Sequence, residues 1–314
     1  MISDILSKKS FNLTPANPIV MIIHGIGLDT SAKVAFQSHA HTDHFVSGKV
    51  IFSTKATKFL SHLKKGGFYK AVPFGKGFYI GDYKAKLYPA GHMLGSAQIY
   101  VEFDEFSLLY TGDVKWFKLR TAEKSRFRRA DVLIIEATFG VPMYNFPSPK
   151  EVEKGLVAFV ESSLDRGKTP TIYANQMGKA QEILKILEVH GYSVRTSRNI
   201  IKVAKIYEKF GIKFKNIDKD GEILLREFRA PKVRNSLSEL YVSGFGDLKL
   251  SNHADFWELM KIVERVRPEK IYTIYGYAKE FAKILKGLGY DATAINRDFC
   301  MNYGKHKRIQ STQA

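Results

Sequence analysis

The chain contains a dense group of histidines and one aspartate near its start. Residues from His39 to His44 read HAHTDH, which places three imidazoles and a carboxylate within six positions. Residues 34–38 have the apolar character of a short strand, and alternation beyond it puts His39 and His41 on the same side. The turn that follows can bring Asp43 and His44 round to a second point. Imidazole nitrogens and carboxylate oxygens are ligands that zinc and similar divalent ions prefer, so the group predicts a metal site.

Two further ligand candidates follow predicted strands. His92 and Asp113 each come directly after a glycine, a residue that lets the backbone turn sharply beside a ligand. Glu136 ends the all-apolar segment 132–135, which is typical of a strand buried on both faces. Burying several imidazoles without partners costs free energy, so the histidine group favours a metal. Beside that group, His92 and Asp113 are stronger ligand candidates than either would be alone.

The composition is that of a globular protein, and it limits which residue types can form a metal site. Of the 314 residues, 45% are apolar and one is cysteine, which excludes an intrachain disulfide and a cysteine-rich zinc ribbon. The formal net charge is +18. Such a charge attracts polyanions such as nucleic acid, although lysine-rich surfaces also occur in proteins that bind none. The polar start carries Lys8 and Lys9, and the apolar run at 19–23 is too short to span a bilayer. We therefore expect a cytoplasmic protein without a membrane partner.

Spacing along the chain predicts the elements that position these residues. The first half indicates mainly strands, beginning with a hairpin at 18–26, and one helix at 56–65. The proline-rich segment 142–149 marks a crossover between domains. The predicted strands are residues 34–38, 50–53, 78–89, 98–103, 107–110, 132–135, 171–174, 240–243, 248–250, 271–274 and 291–295. The predicted helices after the crossover are residues 151–165, 178–189, 200–210, 255–266 and 278–288.

The HAHTDH segment, His92 and Asp113, in this order, resemble the metallo-β-lactamase fold superfamily. The resemblance implies a mixed α/β (α+β) fold, a four-layer αββα sandwich. It also implies two divalent metal ions, zinc or else manganese. It assigns His39, His41 and His92 to one metal, Asp43 and His44 to the second, and Asp113 to the bridge between them.

Later segments resemble the β-CASP nucleases within that superfamily. Segments 136–140, 251–255 and 271–276 match that family's first, second and third motifs. The chain is similar to short prokaryotic β-CASP exonucleases of the RNA 3′-end processing and DNA-ligase-associated kinds. The resemblance implies a catalytic domain at residues 1–143 and 235–304, a β-CASP insert at 144–234, and a basic tail at 305–314.

The same resemblance implies a hydrolase that cleaves phosphodiester bonds of RNA or single-stranded DNA from an end, in RNA processing or DNA repair. Two ions about 3.5–4 Å apart would lower the pKa of a bound water, and the hydroxide that results would attack phosphorus. The catalytic candidates are Asp43, His253 and Glu136. His253 would contact the scissile phosphate, and Glu136 would orient a histidine by hydrogen bonding.

Substrate contacts are expected from five residues around the cleft, which are His253, Ser251, Gly178, Lys179 and Lys115. Gly178 and Lys179 open a predicted helix, so their amides can hold a phosphate or simply start the helix. The basic stretch 115–129 can guide a polyanion into the cleft. Trp116 and Phe117 within it can stack on bases or pack in the core.

One position departs from the family pattern. In the RNA-acting branch the third motif ends in His-Gly, and its histidine completes the second metal site, but this chain has Tyr275 there. Neutral tyrosine is a poor zinc ligand, so the second metal is expected to be weak or completed by water. Two alternative functions stay open, namely a nucleic-acid-binding homologue with weakened catalysis and a small-molecule metallohydrolase. The oligomeric state is not set by the sequence.

Overall fold

The computed structural model describes residues 20–62, 68–230, 237–295 and 298–301. Its strands are β1 Val20–Ile23, β2 Ile26–Leu28, β3 Val34–Phe36, β4 Val50–Ser53, β5 Tyr69–Ala71, β6 Gly77–Ile80, β7 Tyr83–Pro89, β8 Ala97–Glu102, β9 Ser107–Tyr110, β10 Val132–Glu136, β11 Thr169–Ala174, β12 Val194–Thr196, β13 Ile223–Glu227, β14 Leu237–Tyr241, β15 Lys270–Ile274, β16 Ala292–Ala294 and β17 Asp298–Met301. Its helices are α1 Lys55–Ser61, α2 Pro149–Asp165, α3 Lys179–Val189, α4 Arg198–Lys209, α5 Phe256–Val266 and α6 Ala278–Gly287. The predicted basic tail at 305–314 lies outside the described residues.

Two sheets share one apolar core. The first has the strand order β17-β1-β2-β3-β4-β5, and the second has the order β16-β15-β10-β9-β8-β7-β6. The predicted hairpin is confirmed, since β1 and β2 pair antiparallel with Ile22 opposite Gly27. Between the sheets, the ring of Phe36 on β3 lies 6.3 Å from that of Tyr110 on β9. Both side chains are fully buried, so this core fixes the strand ends that face the site.

Helices α5 and α6 cover the other face of the second sheet. Leu133 and Ile135 of β10 share a core with Leu259 of α5 and Phe281 of α6. Because successive side chains of a strand alternate between faces, Ile134 between them packs into the inter-sheet core instead. The expectation of a mixed α/β fold is therefore confirmed, whereas the full four-layer sandwich stays a prediction.

A third sheet of four parallel strands, β12-β13-β11-β14, follows the crossover. Apolar residues of α2, α3 and α4 pack with it, among them Leu156, Ile183 and Tyr207. Helix α2 begins at a capping box in which Ser148 accepts from the Glu151 backbone amide. The third sheet extends to Tyr241, and the domain limits at 144–234 stay a prediction.

Several elements differ from those predicted. Residues 78–89 form the hairpin β6–β7, not one strand, because the chain turns at Gly81 with φ of 59°. Residues 248–250 are not a strand, because the chain turns back after Tyr241 and pairs only at a bridge between Val242 and Leu248. The short strands β5, β12, β13 and β17 were not predicted.

In the described part of the chain, no helix has both the length and the apolar character needed to cross a membrane.

Candidate metal centre

Three strand ends deliver the predicted ligands to one place. Residues after β3 lead into His39, and a single 3₁₀ turn, Thr42–His44, follows. His92 follows β7, and Asp113 follows β9. Gly112 has φ of 54°, and a Cβ there would lie 2.5 Å from that of Ser38, so glycine is required where these two loops meet.

Four of the predicted ligands converge into what we call the inner group, His39, His41, His92 and Asp113. One ligand atom of each lies within 4.8 Å of all the others. Nδ1 of His41 is 3.1 Å from Nε2 of His39 and 3.1 Å from Nε2 of His92. The Asp113 carboxylate is 3.3 Å from His39 Nε2 and 3.6 Å from His92 Nε2. Three nitrogens and an oxygen therefore surround a single point.

The hydrogen bonds on the far side of each ring fix its tautomer. His41 Nε2 lies 3.1 Å from the carbonyl oxygen of Met177, and His92 Nδ1 lies 3.1 Å from that of Asn252. A carbonyl accepts only, so both outer nitrogens carry hydrogen and both inner nitrogens are lone pairs. His39 Nδ1 contacts the Ser38 hydroxyl at 2.9 Å. That hydroxyl donates to Asp29 at 2.6 Å, so it accepts from His39.

Three neutral imidazoles thus direct lone pairs at one another across about a hydrogen-bond distance, with no proton between them. Burial is the main cause that lowers the pKa of His39 and His92 well below the usual value, and it lowers that of His41 to about 4. Lone pairs held in this way repel unless a cation lies between them. The donor set, three imidazoles and a carboxylate, fits zinc or manganese, so the residues present fit the implied metal.

His44 and Asp43 lie beside the inner group and share Asp113 with it. His44 Nε2 is 3.5 Å from Asp113 Oδ1 and 3.8 Å from Asp43 Oδ2. On its other side, His44 Nδ1 is 2.9 Å from the buried carboxylate of Asp29. Burial opposes protonation of His44, but Asp113, Asp29 and Asp43 together raise its pKa to about 10. Among the described residues, Asp43, His44 and Asp113 do not converge as closely as the inner group does, so a second cation here stays a prediction.

His253 faces the same centre from the opposite side. Its Nδ1 lies 2.8 Å from Glu136 Oε2, and its Nε2 lies 3.8 Å from Asp113 Oδ2. Burial acts against protonation, but the charges of Glu136 and Asp113 raise the pKa of His253. Glu136 is fully buried and also accepts from the Val114 amide at 2.6 Å. Glu136 therefore orients the His253 ring so that its Nε2 points toward the centre.

Tyr275, which stands where the family's third motif is expected to have a histidine, lies next to His44. Its ring lies 5.5 Å from that of His44, and its backbone has φ of 61°, a strained value for a residue with a side chain. Burial and the neighbouring Asp29 charge raise the pKa of the Tyr275 phenol well above its usual value. The phenol is thus held neutral, which suits it poorly to bind a metal.

The other predicted substrate contacts are buried around the centre. Lys115 forms a salt bridge of 2.9 Å with Glu258 and donates to the His253 carbonyl at 3.2 Å, so it supports the His253 loop. The Ser251 hydroxyl also bonds within that loop. Gly178, with φ of 87°, precedes α3, and its amide donates to Gln181. The Lys179 side chain is buried, and burial together with Lys115 lowers its pKa to about 8.

Aromatic side chains form a rim beside His253. The ring of Phe139 lies 6.0 Å from that of His253 and 5.1 Å from that of Phe245. Tyr144 lies 5.8 Å from Phe245 and hydrogen-bonds Tyr277 through the two hydroxyls at 2.9 Å. Phe245 is 70% exposed. The rings are tilted against one another, and Phe245 at the solvent end presents an exposed apolar face near the centre.

Sequence reasoning missed three groups that hold the ligands in place. Asp29 accepts from His44, from Ser38 and from the Tyr110 hydroxyl at 2.7 Å. Asn252 and Met177 contribute carbonyls, which have no side-chain signature. Asp29 could have been found from the sequence, since it is an acid directly after the apolar segment Ile26–Leu28.

Curated relatives match parts or most of the chain. A probable DNA ligase from Opitutus terrae is 32% identical over 300 residues, covering 87% of this chain and 30% of the relative. An RNase J-like protein from Methanocaldococcus jannaschii is 31% identical, covering 54% of this chain and 39% of the relative. Transcription termination factor FttA from a Lokiarchaeum strain is 41% identical, and the match covers 34% of this chain and 18% of the relative. The chain thus spans less than two fifths of the length of each of these relatives.

Among solved structures, a protein of unknown function from Enterococcus faecalis V583 matches with a TM-score of 0.54 and 16% identity. The match covers 76% of this chain and 74% of that chain, and it shows a shared fold alone. No family model matches the chain. The fold and the histidine–aspartate centre define a member of the metallo-β-lactamase superfamily. Within that superfamily the chain belongs to the β-CASP family.

Proposed function

We propose that this protein is a metal-dependent nuclease that hydrolyses phosphodiester bonds of RNA or single-stranded DNA from a strand end. The observation that carries the proposal is the set of three imidazole lone pairs and Asp113 converging on one point, with the His253 ring, which Glu136 orients, beside it. His39, His41, His92 and Asp113 would hold one zinc or manganese ion, and Asp43, His44 and Asp113 a second. When bound, such ions acidify a water and offset negative charge on phosphoryl oxygens.

The side chains around the centre supply the remaining chemistry. His253, held by Glu136, donates a proton from Nε2 to the oxygen that leaves phosphorus. Lys179 places a buried amine near His253, where it offsets the charge of a bound phosphate. Asp29 holds His44 and Ser38, so that the ligand loops keep their geometry while the proton moves.

Three observations favour a nucleic-acid substrate over a small ester. The net charge of +18 attracts polyanions. The aromatic rim offers a surface on which an unpaired base can stack next to the reacting phosphate. Two of the relatives are named as an RNase J-like protein and a transcription termination factor. Because one relative is named as a probable DNA ligase, the proposal includes single-stranded DNA as a substrate and DNA repair as a role, in addition to RNA processing.

Tyr275 favours a second candidate, a β-CASP protein that binds nucleic acid but cleaves it weakly. In that case strands bind while cleavage stays close to background. One experiment separates the two functions: digestion of RNA and single-stranded DNA, labelled at either end, by the wild type and by Asp113→Asn. Asp220→Asn is the matched control, because Asp220 is an exposed acid paired only with Lys219 among the described contacts.

For a nuclease, Asp113→Asn lowers cleavage about a thousandfold, the equivalent of about 4 kcal/mol, and the control cleaves normally. Release of mononucleotides from one labelled end indicates exonucleolytic action. Binding without cleavage by the wild type, with either metal, would support the second candidate. Hydrolysis of a small ester but of neither strand would reject both.

A further inference from the structure

A basic trough lies beside α5, away from the inner group. It encloses about 860 Å³ and is open to solvent along its length. One wall comes from the segment after Asp113, and the other comes from the last turns of α5. Its positively charged lining residues are Arg126, Arg128, Arg129, Lys261, Arg265 and Arg267, and its acidic one is Glu264.

The protein offsets the charges of the trough only in part, since Arg128 is attracted by Glu102 and Arg129 by Asp131. All six cations are exposed, and across the described ranges none of them forms a salt bridge. Neighbouring cations differ, since Lys115 pairs with Glu258 and Arg120 with Glu153. Lys261 and Arg265 also stand one helical turn apart, where like charges repel. An anion in the trough would relieve this repulsion.

The composition of the trough favours phosphate over other anions. The chain has 14 arginines among its 49 basic residues, yet five of the six cations in the trough are arginine. The planar guanidinium binds two phosphate oxygens at once, which the lysine ammonium does not. The repeated positive charge fits a chain of phosphates better than a single one.

Aromatic packing gives the trough a fixed shape. Trp116 and Phe127 stack with ring centroids 5.3 Å apart and an interplanar angle of 11°. Arg128 lies 5.2 Å over the ring of Tyr100. The walls are therefore held by buried or half-buried rings, not by solvated side chains alone.

The trough is joined directly to the ligand loops. Trp116 follows Asp113 by three residues, and the Arg126 amide donates to the Pro89 carbonyl at 3.1 Å, shortly before His92. We propose that the trough is a second binding site for the phosphodiester backbone of a single-stranded nucleic acid. It holds the part of the strand that is not being cleaved. The identity of the anion rests on the proposed function, but binding to the trough requires no hydrolysis.

The test compares two variants that remove the same charge from different parts of the surface. The trough variant is Arg126→Gln, Arg129→Gln and Arg265→Gln. The control is Lys279→Gln, Lys283→Gln and Lys286→Gln, three exposed lysines of α6. Binding of a labelled 20-nucleotide single strand is measured by fluorescence anisotropy with chelator present, over a range of salt concentrations. The same strand in duplex form and poly-glutamate of similar length are measured beside it.

For the trough variant, we expect the slope of log K against log salt for the single strand to fall by about 2, since each lost contact removes about 0.7. The control keeps a slope close to that of the wild type. A dinucleotide is too short to reach the trough, so the two variants should cleave it at equal rates. This comparison tests catalysis separately from binding to the trough. Equal single-strand binding by the two variants overturns the proposal. So does a loss confined to poly-glutamate or to the duplex.

Discussion

Binding of metal to the metal-free protein should release a proton from His44. His44 Nδ1 lies 2.9 Å from Asp29, and Nε2 lies 3.5 Å from Asp113 and 3.8 Å from Asp43. Burial disfavours the charged ring, but the three acids raise its pKa to about 10. Nε2, the atom that must face a cation, therefore carries a proton at neutral pH. By contrast, His39, His41 and His92 are already neutral and have no proton to lose.

The magnitude follows from the pKa. A pH of 8 lies about 2 units below the pKa of His44, which is about 10. Removing the proton from His44 at this pH therefore costs about 2.7 kcal/mol. The affinity of the second ion should therefore rise about tenfold for each unit of pH between about 7 and 9. The same shift affects folding. The pKa of His44 is higher in the folded protein than the ordinary value of 6.5. The protonated ring therefore contributes its full stabilisation of the metal-free fold below pH 6.5, and this contribution is lost as the pH rises toward 10.

The assay is isothermal titration calorimetry of metal-free protein with zinc at pH 8, in buffers that differ in ionisation enthalpy. Because a metal-bound water can release a proton in both proteins, the prediction is the difference: the wild type should release about one proton more than His44→Gln. Asp113, whose pKa is about 7, is largely ionised at this pH and adds little. If the wild type releases no proton, or if His44→Gln releases as many as the wild type, the reasoning about this pocket is wrong.

Three further predictions concern single side chains. Tyr275→His should increase zinc retained after dialysis, measured by plasma mass spectrometry, whereas Tyr275→Phe should not; equal retention would exclude this position from the second site. His253→Gln should lower kcat for strand cleavage by about 10²–10⁴ with little change in KM or metal content, and normal kcat would remove it from the proton path. Phe245→Ala should weaken strand binding by about 1–3 kcal/mol per stacked base, and Phe245→Trp should restore it. A strand with an abasic end should bind wild type and Phe245→Ala alike, and a loss that persists on that strand would argue against stacking.

The convergence of the candidate metal ligands could be predicted from the sequence because their chemistry is in their side chains. His39, His41 and Asp113 all follow predicted strands, and strand ends that meet at one edge of a sheet bring such residues together. The alternation within HAHTDH was enough to place His39 and His41 on one side. The dense spacing, together with the later motifs, also indicated the family.

The groups that support the ligands could not be predicted in the same way. The acceptors that set the tautomers of His41 and His92 are backbone carbonyls of Met177 and Asn252, more than a hundred residues away in sequence. Any residue offers a carbonyl, so no sequence signal marks these two. Likewise, nothing in the basic stretch 115–129 showed that Lys115 is buried in a salt bridge. Its partner Glu258 lies far away in sequence, on α5.

The most direct test of the central claim is the metal content of purified protein after dialysis, compared between the wild type, His41→Ala and His62→Ala. His62 is an exposed histidine on the C-terminal side of α1 and serves as the matched control. We predict zinc or manganese in the wild type and in His62→Ala, and a loss of most of it in His41→Ala. Equal metal content in all three proteins would contradict the convergence of His39, His41, His92 and Asp113 on a cation.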